Sequence, residues 1–321
     1  MVIAAVGFRA IARFERWTVP VTLVVLLAMT IVAWTRSDVH WGYSGQGLHG
    51  TALWSALSTI MTAIGIGWGI TWFAYASDYS RFVPRSMPPG TLYLASVLGQ
   101  FIPTVWLGLL GATLATVAQD VDPGQLVVQN FGALAIPVIL LVLHGPIATN
   151  VLNIYSCGLC AQTLDWKVDR RLLSYVVGVL ALVFTVYLVL RGSFAESLDG
   201  WLSGLVTWVA PWGTIVLVNY YRVQRREVDV PALFDEPRAS RIPDVSWPAI
   251  IAFVVGMVAT WSAEYGIPSY LQGPLARALG GVDLSWLVGS VVAGVVYLAL
   301  RPRPTGAAAP SPVRTQSPEP V

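Results

Sequence analysis

Eight apolar stretches, at residues 18–35, 53–76, 91–118, 132–160, 172–190, 201–220, 247–263 and 284–300, leave this chain few ways to fold. A bilayer span needs about 20 mostly apolar residues. Repeated at that length, the stretches predict an all-α polytopic membrane protein of about eight transmembrane helices. Composition agrees: 55% of the residues are hydrophobic and 11% charged, whereas a soluble domain carries roughly 25% charged residues. The length of 321 residues alone would have suggested two soluble domains. The net charge of +2 is no argument for nucleic acid as a partner, because the basic residues sort by membrane side.

That sorting gives an orientation. Arg9, Arg13 and Arg16 precede the first span, and sixteen of the 19 basic residues fall in connections on their side. Only Arg36, Arg191 and Arg277 fall on the other side. Positive charge marks the cytoplasmic side, so both termini are expected in the cytoplasm of a multi-pass plasma-membrane protein. Residues 1–17 then form a cytoplasmic amino-terminal segment. Its start, MVIAAVGF, is too short to span and reads as the tail of a helix that begins elsewhere. Residues 18–301 form the transmembrane domain, with a cytoplasmic linker at 222–246 and an outward connection at 264–282. Residues 302–321, rich in Pro, Ala and Ser, read as a disordered cytoplasmic tail.

One span is broken in its middle. Residues 56–85 read ALSTIMTAIGIGWGITWFAYASDYSRFVPR, with Gly65, Gly67 and Gly69 flanked by Trp68 and Trp72. Irregular backbone at membrane depth is tolerated only within protein or beside a water-filled cavity. Small residues also let a neighbouring helix approach closely. The glycines fit both readings, a helix break or close packing. Asp78 and Arg81 follow, three residues apart, spaced to pair across one helical turn. They read as a charged helix end with a possible gating role, and Asp78 is alternatively a seat for a proton or cation. A second polar insertion, HGPIATNVLNIYS, occupies 144–156. Polar groups inside a span are costly and face the bundle interior. His144 reads as a packing residue or a proton relay. Cys157 and Cys160 have CxxC spacing but no second ligand pair and no βαβ context, so they read as packing residues rather than a metal or redox site. No catalytic constellation, nucleotide loop or cofactor motif stands out, which predicts neither an enzyme nor a resident cofactor.

The run Gly67-Trp68-Gly69-Ile70-Thr71-Trp72, followed by Tyr75-Ala76-Ser77-Asp78-Tyr79-Ser80-Arg81-Phe82-Val83-Pro84, resembles the nucleobase:cation symporters, the family of cytosine, purine, uracil and allantoin permeases. In that family a tryptophan lies six residues before the aspartate, as Trp72 does before Asp78. The resemblance implies the carboxy-terminal two-thirds of a leucine-transporter-like inverted repeat. The eight spans would match the fifth to twelfth of twelve helices, with the first four absent. It also implies alternating access, a heterocyclic substrate and a coupling cation. Trp72 becomes the first choice for stacking on that substrate, and Trp68 the second. Asn153 is the first choice for an amide that both donates and accepts, since Asn153-Ile154-Tyr155-Ser156 resembles the family's N-x-Y-S ending; Asn150 competes with it. Gly145, Ala148 and Thr149 occupy the positions that hold sodium in coupled members. Ala148 lacks the hydroxyl expected there, which leaves sodium and a proton both open. Asn219 stands where the family often has an aspartate, and Pro211 lies in the same span. The competing reading is a chain that does not transport, either a remnant or a membrane partner subunit of a split transporter.

Overall fold

The computed structural model describes residues 1–44, 47–117, 127, 129–163, 168–191, 194–230, 232, 242–243, 245–266 and 268–301. The 302–321 tail and residues 231, 233–241 and 244 of the 222–246 linker lie outside the described residues. The described residues are overwhelmingly helical and contain no strand, only a single bridge between Tyr265 and Gln272. In chain order the helices are α1 (Val2–Val6), α2 (Phe8–Trp34), α3 (Thr51–Ile60), α4 (Gly69–Thr71), α5 (Ala76–Ser80), α6 (Pro89–Ala115), α7 (Ala135–Thr163), α8 (Arg170–Arg191), α9 (Phe194–Val218), α10 (Trp247–Ser262), α11 (Pro274–Ala278) and α12 (Ser285–Leu300). Six helical stretches are long and apolar enough to cross a membrane. The chain is a polytopic membrane protein.

The described residues of each expected stretch are largely helical, the second with changes of pitch along its length. The helix of the first stretch, α2, begins at Phe8 rather than residue 18, because Arg9, Arg13 and Arg16 are good helix formers and extend the helix beyond the apolar run toward the amino terminus. The helices of the last two apolar stretches, α10 and α12, have 16 residues each, about 24 Å at 1.5 Å per residue. They fall short of the roughly 30 Å hydrocarbon core.

The chain forms two compact units: residues 1–48 with 75–197, and residues 49–74 with 198–321. In the first, Leu26, Met29 and Ala33 of α2 pack with Leu110 and Leu114 of α6, and with Phe131 and Val138. Trp106 donates its indole N–H to Thr30 Oγ1 at 2.9 Å, so the one polar atom of that half-buried indole is satisfied. A second cluster joins Ala4 and Ile11 to Val151, Ile154 and Tyr155 of α7. Beyond the end of α2, Arg36 grips Asp38 through Nε at 2.8 Å and reaches Asn130 Oδ1 at 2.6 Å. That hydrogen bonding holds the Asp38 carboxyl below its usual pKa.

The second unit is built on α10 and α12. Ala252, Gly256 and Thr260 on one helix, and Ser285, Gly289, Ala293 and Tyr297 on the other, recur every four residues and are all buried. Small residues at that spacing let helix backbones meet where lipid supplies no hydrophobic drive. A Cβ on Gly256 would stand 2.8 Å from Ala293 Cβ and 2.7 Å from Pro211 Cβ of α9. Ile215 of α9 completes this core.

Candidate functional site

The broken span keeps helical hydrogen bonding but changes pitch three times. After α3 the backbone widens to a π-helix over Met61–Trp68, returns to α over Gly69–Thr71, and tightens to 3₁₀ over Trp72–Tyr75 before α5. Glycine is a poor helix former, and π segments concentrate at functional sites. The three glycines divide the two readings between them. A Cβ on Gly67 would lie 2.7 Å from the Leu202 carbonyl oxygen of α9, so Gly67 is a close-packing glycine. Gly69 has nothing within 4 Å of such an atom, and Gly65 has only Met61 Cγ at 3.9 Å. Their place is in the distorted backbone rather than in a contact. Thr71 Oγ1 donates to the Trp68 carbonyl at 2.7 Å, satisfying one carbonyl freed by the change of pitch. Trp68 is exposed and Trp72 half-buried. Next to Trp72, Phe73 packs edge-on against Trp212 with ring centroids 5.7 Å apart, which fixes the 3₁₀ turn on α9.

In the other unit, α7 carries the second polar insertion without a break, through Pro146. Gly145 and Asn150 are exposed, whereas Ala148, Thr149 and Asn153 are half-buried. Among the described residues, neither the Thr149 hydroxyl nor the Asn153 amide makes a hydrogen bond. Among the described residues Asn153 thus has no interhelical hydrogen-bond partner. Polar capacity left open on one face of a membrane helix is expensive. The His144 ring tilts against Phe14 at 5.4 Å and, with Thr18, Thr22 and Leu140, borders a cavity of about 240 Å³ between α2 and α7.

The endings of the two motifs meet within this unit. Arg81 donates to the Tyr155 hydroxyl at 2.7 Å, and the Tyr79 and Ser156 hydroxyls lie 3.3 Å apart. Phe82 stacks on Phe8 at 3.9 Å, with the Arg81 guanidinium 4.9 Å from the Phe82 ring centre. The ion pair expected of Asp78 and Arg81 does not form: among the described residues Arg36–Asp38 is the only ion pair. Arg81 is drawn to Tyr155 instead, on the buried side of α7. Cys157 and Cys160 are free and exposed. Trp68, Trp72 and the glycines belong to one unit, and Asp78, Arg81 and the α7 residues to the other.

Asn219, at the family's frequent aspartate position, opens a second π segment, Asn219–Val223, and accepts a hydrogen bond from the Tyr297 hydroxyl at 2.9 Å. The structure adds two residues that motif reading passed over. Glu264 is fully buried and accepts from Thr207 Oγ1 at 2.7 Å. Asp283 is buried at the entry to α12. The last two were legible in principle, as single carboxylates at the ends of apolar stretches.

Apolar helices of this number, with polar residues held inside them and one helix distorted within its apolar run, define an integral membrane protein. Residues 1–289 match the family described as permease for cytosine/purines, uracil, thiamine, allantoin. The chain belongs to that family. It is 31% identical over 245 residues to a putative purine-cytosine permease of Bacillus subtilis, covering 74% of this chain and 53% of the relative. A purine-cytosine permease of Emericella nidulans is 23% identical over 322 residues, covering 94% of this chain and 61% of the relative. A vitamin B6 transporter of Saccharomyces cerevisiae is 24% identical over 159 residues, 44% of this chain and 27% of the relative. The chain thus spans little more than half the length of the first two relatives. No solved structure matches it.

Proposed function

We propose that this chain is part of a secondary transporter for a nucleobase or related heterocycle, driven by a cation through alternating access. Membership of the permease family supports transport, and the names of the relatives support a purine- or cytosine-like substrate. The observation that carries the site is the open hydrogen-bonding capacity of Thr149 and Asn153 on a half-buried face of a membrane helix. In this reading Asn153 pairs with the polar edge of the heterocycle, with Asn150 as its alternative. Trp72 offers the ring its flat face, with Trp68 as its alternative. The Gly145, Ala148 and Thr149 face takes the coupling ion, sodium or a proton. A hard cation prefers oxygen ligands, and Thr149 supplies one where Ala148 cannot. Asp78 and Arg81 act at the gate, Arg81 through Tyr155. The further helices that complete the transporter would come from a segment or partner matching the rest of the relatives' length.

Gradient-driven uptake tests this reading. The chain joined behind the amino-terminal part of the Bacillus subtilis relative, purified and reconstituted in vesicles, should accumulate radiolabelled cytosine, a purine, uracil or allantoin under a sodium or proton gradient. The 321-residue chain reconstituted alone should not. A folded chimera that accumulates none of these solutes rejects the substrate class. Accumulation by the chain alone rejects the need for a further part.

The proposed orientation has its own test. Single cysteines placed in 222–246 and in 264–282, in a background lacking Cys157 and Cys160, should react with a membrane-impermeant thiol reagent from opposite sides. Modification of both from the same side overturns the eight-span topology and the cytoplasmic placement of both termini.

A further inference from the structure

Four hydroxyl side chains, Ser55, Ser58, Thr59 and Thr62, recur at helical spacing along the half of the broken span that precedes the glycines. That spacing puts them on one face. All four bond to the single stretch that joins α10 to α12. Ser55 Oγ donates to the Gly281 carbonyl at 2.6 Å. Ser58 Oγ accepts the Asp283 N–H at 2.8 Å, and Thr59 Oγ1 donates to the Tyr265 carbonyl at 3.3 Å. Thr62 Oγ1, 1% exposed and in the first turn of the π segment, donates to Asp283 Oδ1 at 3.0 Å.

Asp283 is the hub of this row. Its Oδ1 also accepts from Ser285 N–H at 2.9 Å and Ser285 Oγ at 2.6 Å, and its Oδ2 accepts from Tyr265 N–H at 2.8 Å. One carboxylate, 2% exposed, thereby ties the start of α12, the exit of α10 and the π segment together. The chain reaches it through Gly280 and Gly281, at φ 72° and 86°, a left-handed turn that side-chain-bearing residues rarely adopt. Hydrogen bonds to a charged acceptor are roughly twice as strong as neutral ones. A π-helix has no strong preference of its own to hold it in register.

We propose that Asp283, acting through Thr62, is a positioning residue for the substrate-binding break: it clamps the π segment to the α10–α12 pair and sets where Trp68 and Trp72 stand. The assignment of substrate to the break rests on the function proposed above; the clamp itself does not. Hydrogen–deuterium exchange on the purified chain in lipid nanodiscs tests it. Thr62→Val keeps the side chain's shape and removes only its donor. Exchange across residues 61–72 should rise about tenfold or more, while residues 285–300 stay at the parental rate because Asp283 keeps its bonds to Ser285. Thr62→Ser, which restores the hydroxyl, should return 61–72 to the parental rate. Asp283→Ala should loosen both stretches. Parental exchange in Thr62→Val, or no rescue by Thr62→Ser, overturns the clamp. If Thr62→Val does not fold, Thr62→Ala, which removes the same donor with less bulk to bury, must show the same local rise, and its absence overturns the clamp equally. The exchange pattern is read without substrate, so it stands or falls separately from the uptake experiment.

Discussion

Gly289→Leu is expected to take apart the second unit, lowering its stability by about 3 kcal/mol or more. A Cβ on Gly289 would lie 1.8 Å from Thr260 Oγ1 and 2.9 Å from Thr260 Cβ. No rotamer of the new side chain relieves a clash at Cβ itself. Thr260 cannot swing away cheaply either, because its hydroxyl is bonded back to the Gly256 carbonyl at 2.8 Å and the residue is fully buried. Separation of α10 and α12 is the remaining response. It would open the Ala252, Gly256 and Ala293 contact on which the packing of these two short helices rests. Gly108→Leu on α6 is the control, since a Cβ there meets nothing within 4 Å. Thermal and denaturant unfolding in detergent should leave Gly108→Leu within about 0.5 kcal/mol of the parent, in the range usual for surface substitutions. If Gly289→Leu unfolds with the Gly108→Leu midpoint, the close helix pair is wrong.

The helices were readable from sequence because a long apolar run in a bilayer has few alternatives to a helix. The break was readable as a place but not as a form. Gly65, Gly67 and Gly69 mark it, yet whether a glycine widens the helix or admits a neighbour depends on where Leu202 falls, and that is a tertiary fact. The same limit applies to Arg81. Spacing alone pairs it with Asp78; the packing of α5 against α7 gives it Tyr155 instead. The start of the first stretch's helix was missed because hydropathy locates the apolar run and not the helix, which Arg9, Arg13 and Arg16 extend. The hydroxyl row at 55, 58, 59 and 62 was visible as a period, but serines and threonines commonly bond back to their own helix. Its meaning required Asp283, which lies more than two hundred residues away in sequence. The small-residue repeats on α10 and α12 were equally plain in the letters. Only their mutual facing identifies them as one contact.

Trp72→Ala and Asn153→Ala should each weaken heterocycle binding to the reconstituted chimera by roughly 5- to 150-fold, equivalent to about 1–3 kcal/mol. The two losses have different causes, and conservative variants separate them. Trp72 supplies area and a π face, so Trp72→Phe should retain part of the affinity and its effect should vary little with the polar substituents of the ligand. Asn153 supplies a donor and an acceptor from one amide, so Asn153→Asp, which only accepts when ionised, should discriminate among heterocycles according to their donors. Neither side chain bears on folding in the way Gly289 does. Asn153 makes no hydrogen bond among the described residues, and Trp72 is half-buried beside the Phe73–Trp212 contact. Protein abundance and melting should therefore stay near the parent while affinity falls. Trp68→Ala and Asn150→Ala, at the exposed alternatives, should change affinity less. The reverse order would shift the site by one turn of each helix. Parental affinity in both Trp72→Ala and Asn153→Ala would leave the open amide and the indole at the break as packing features, and the substrate would have to be sought on other residues.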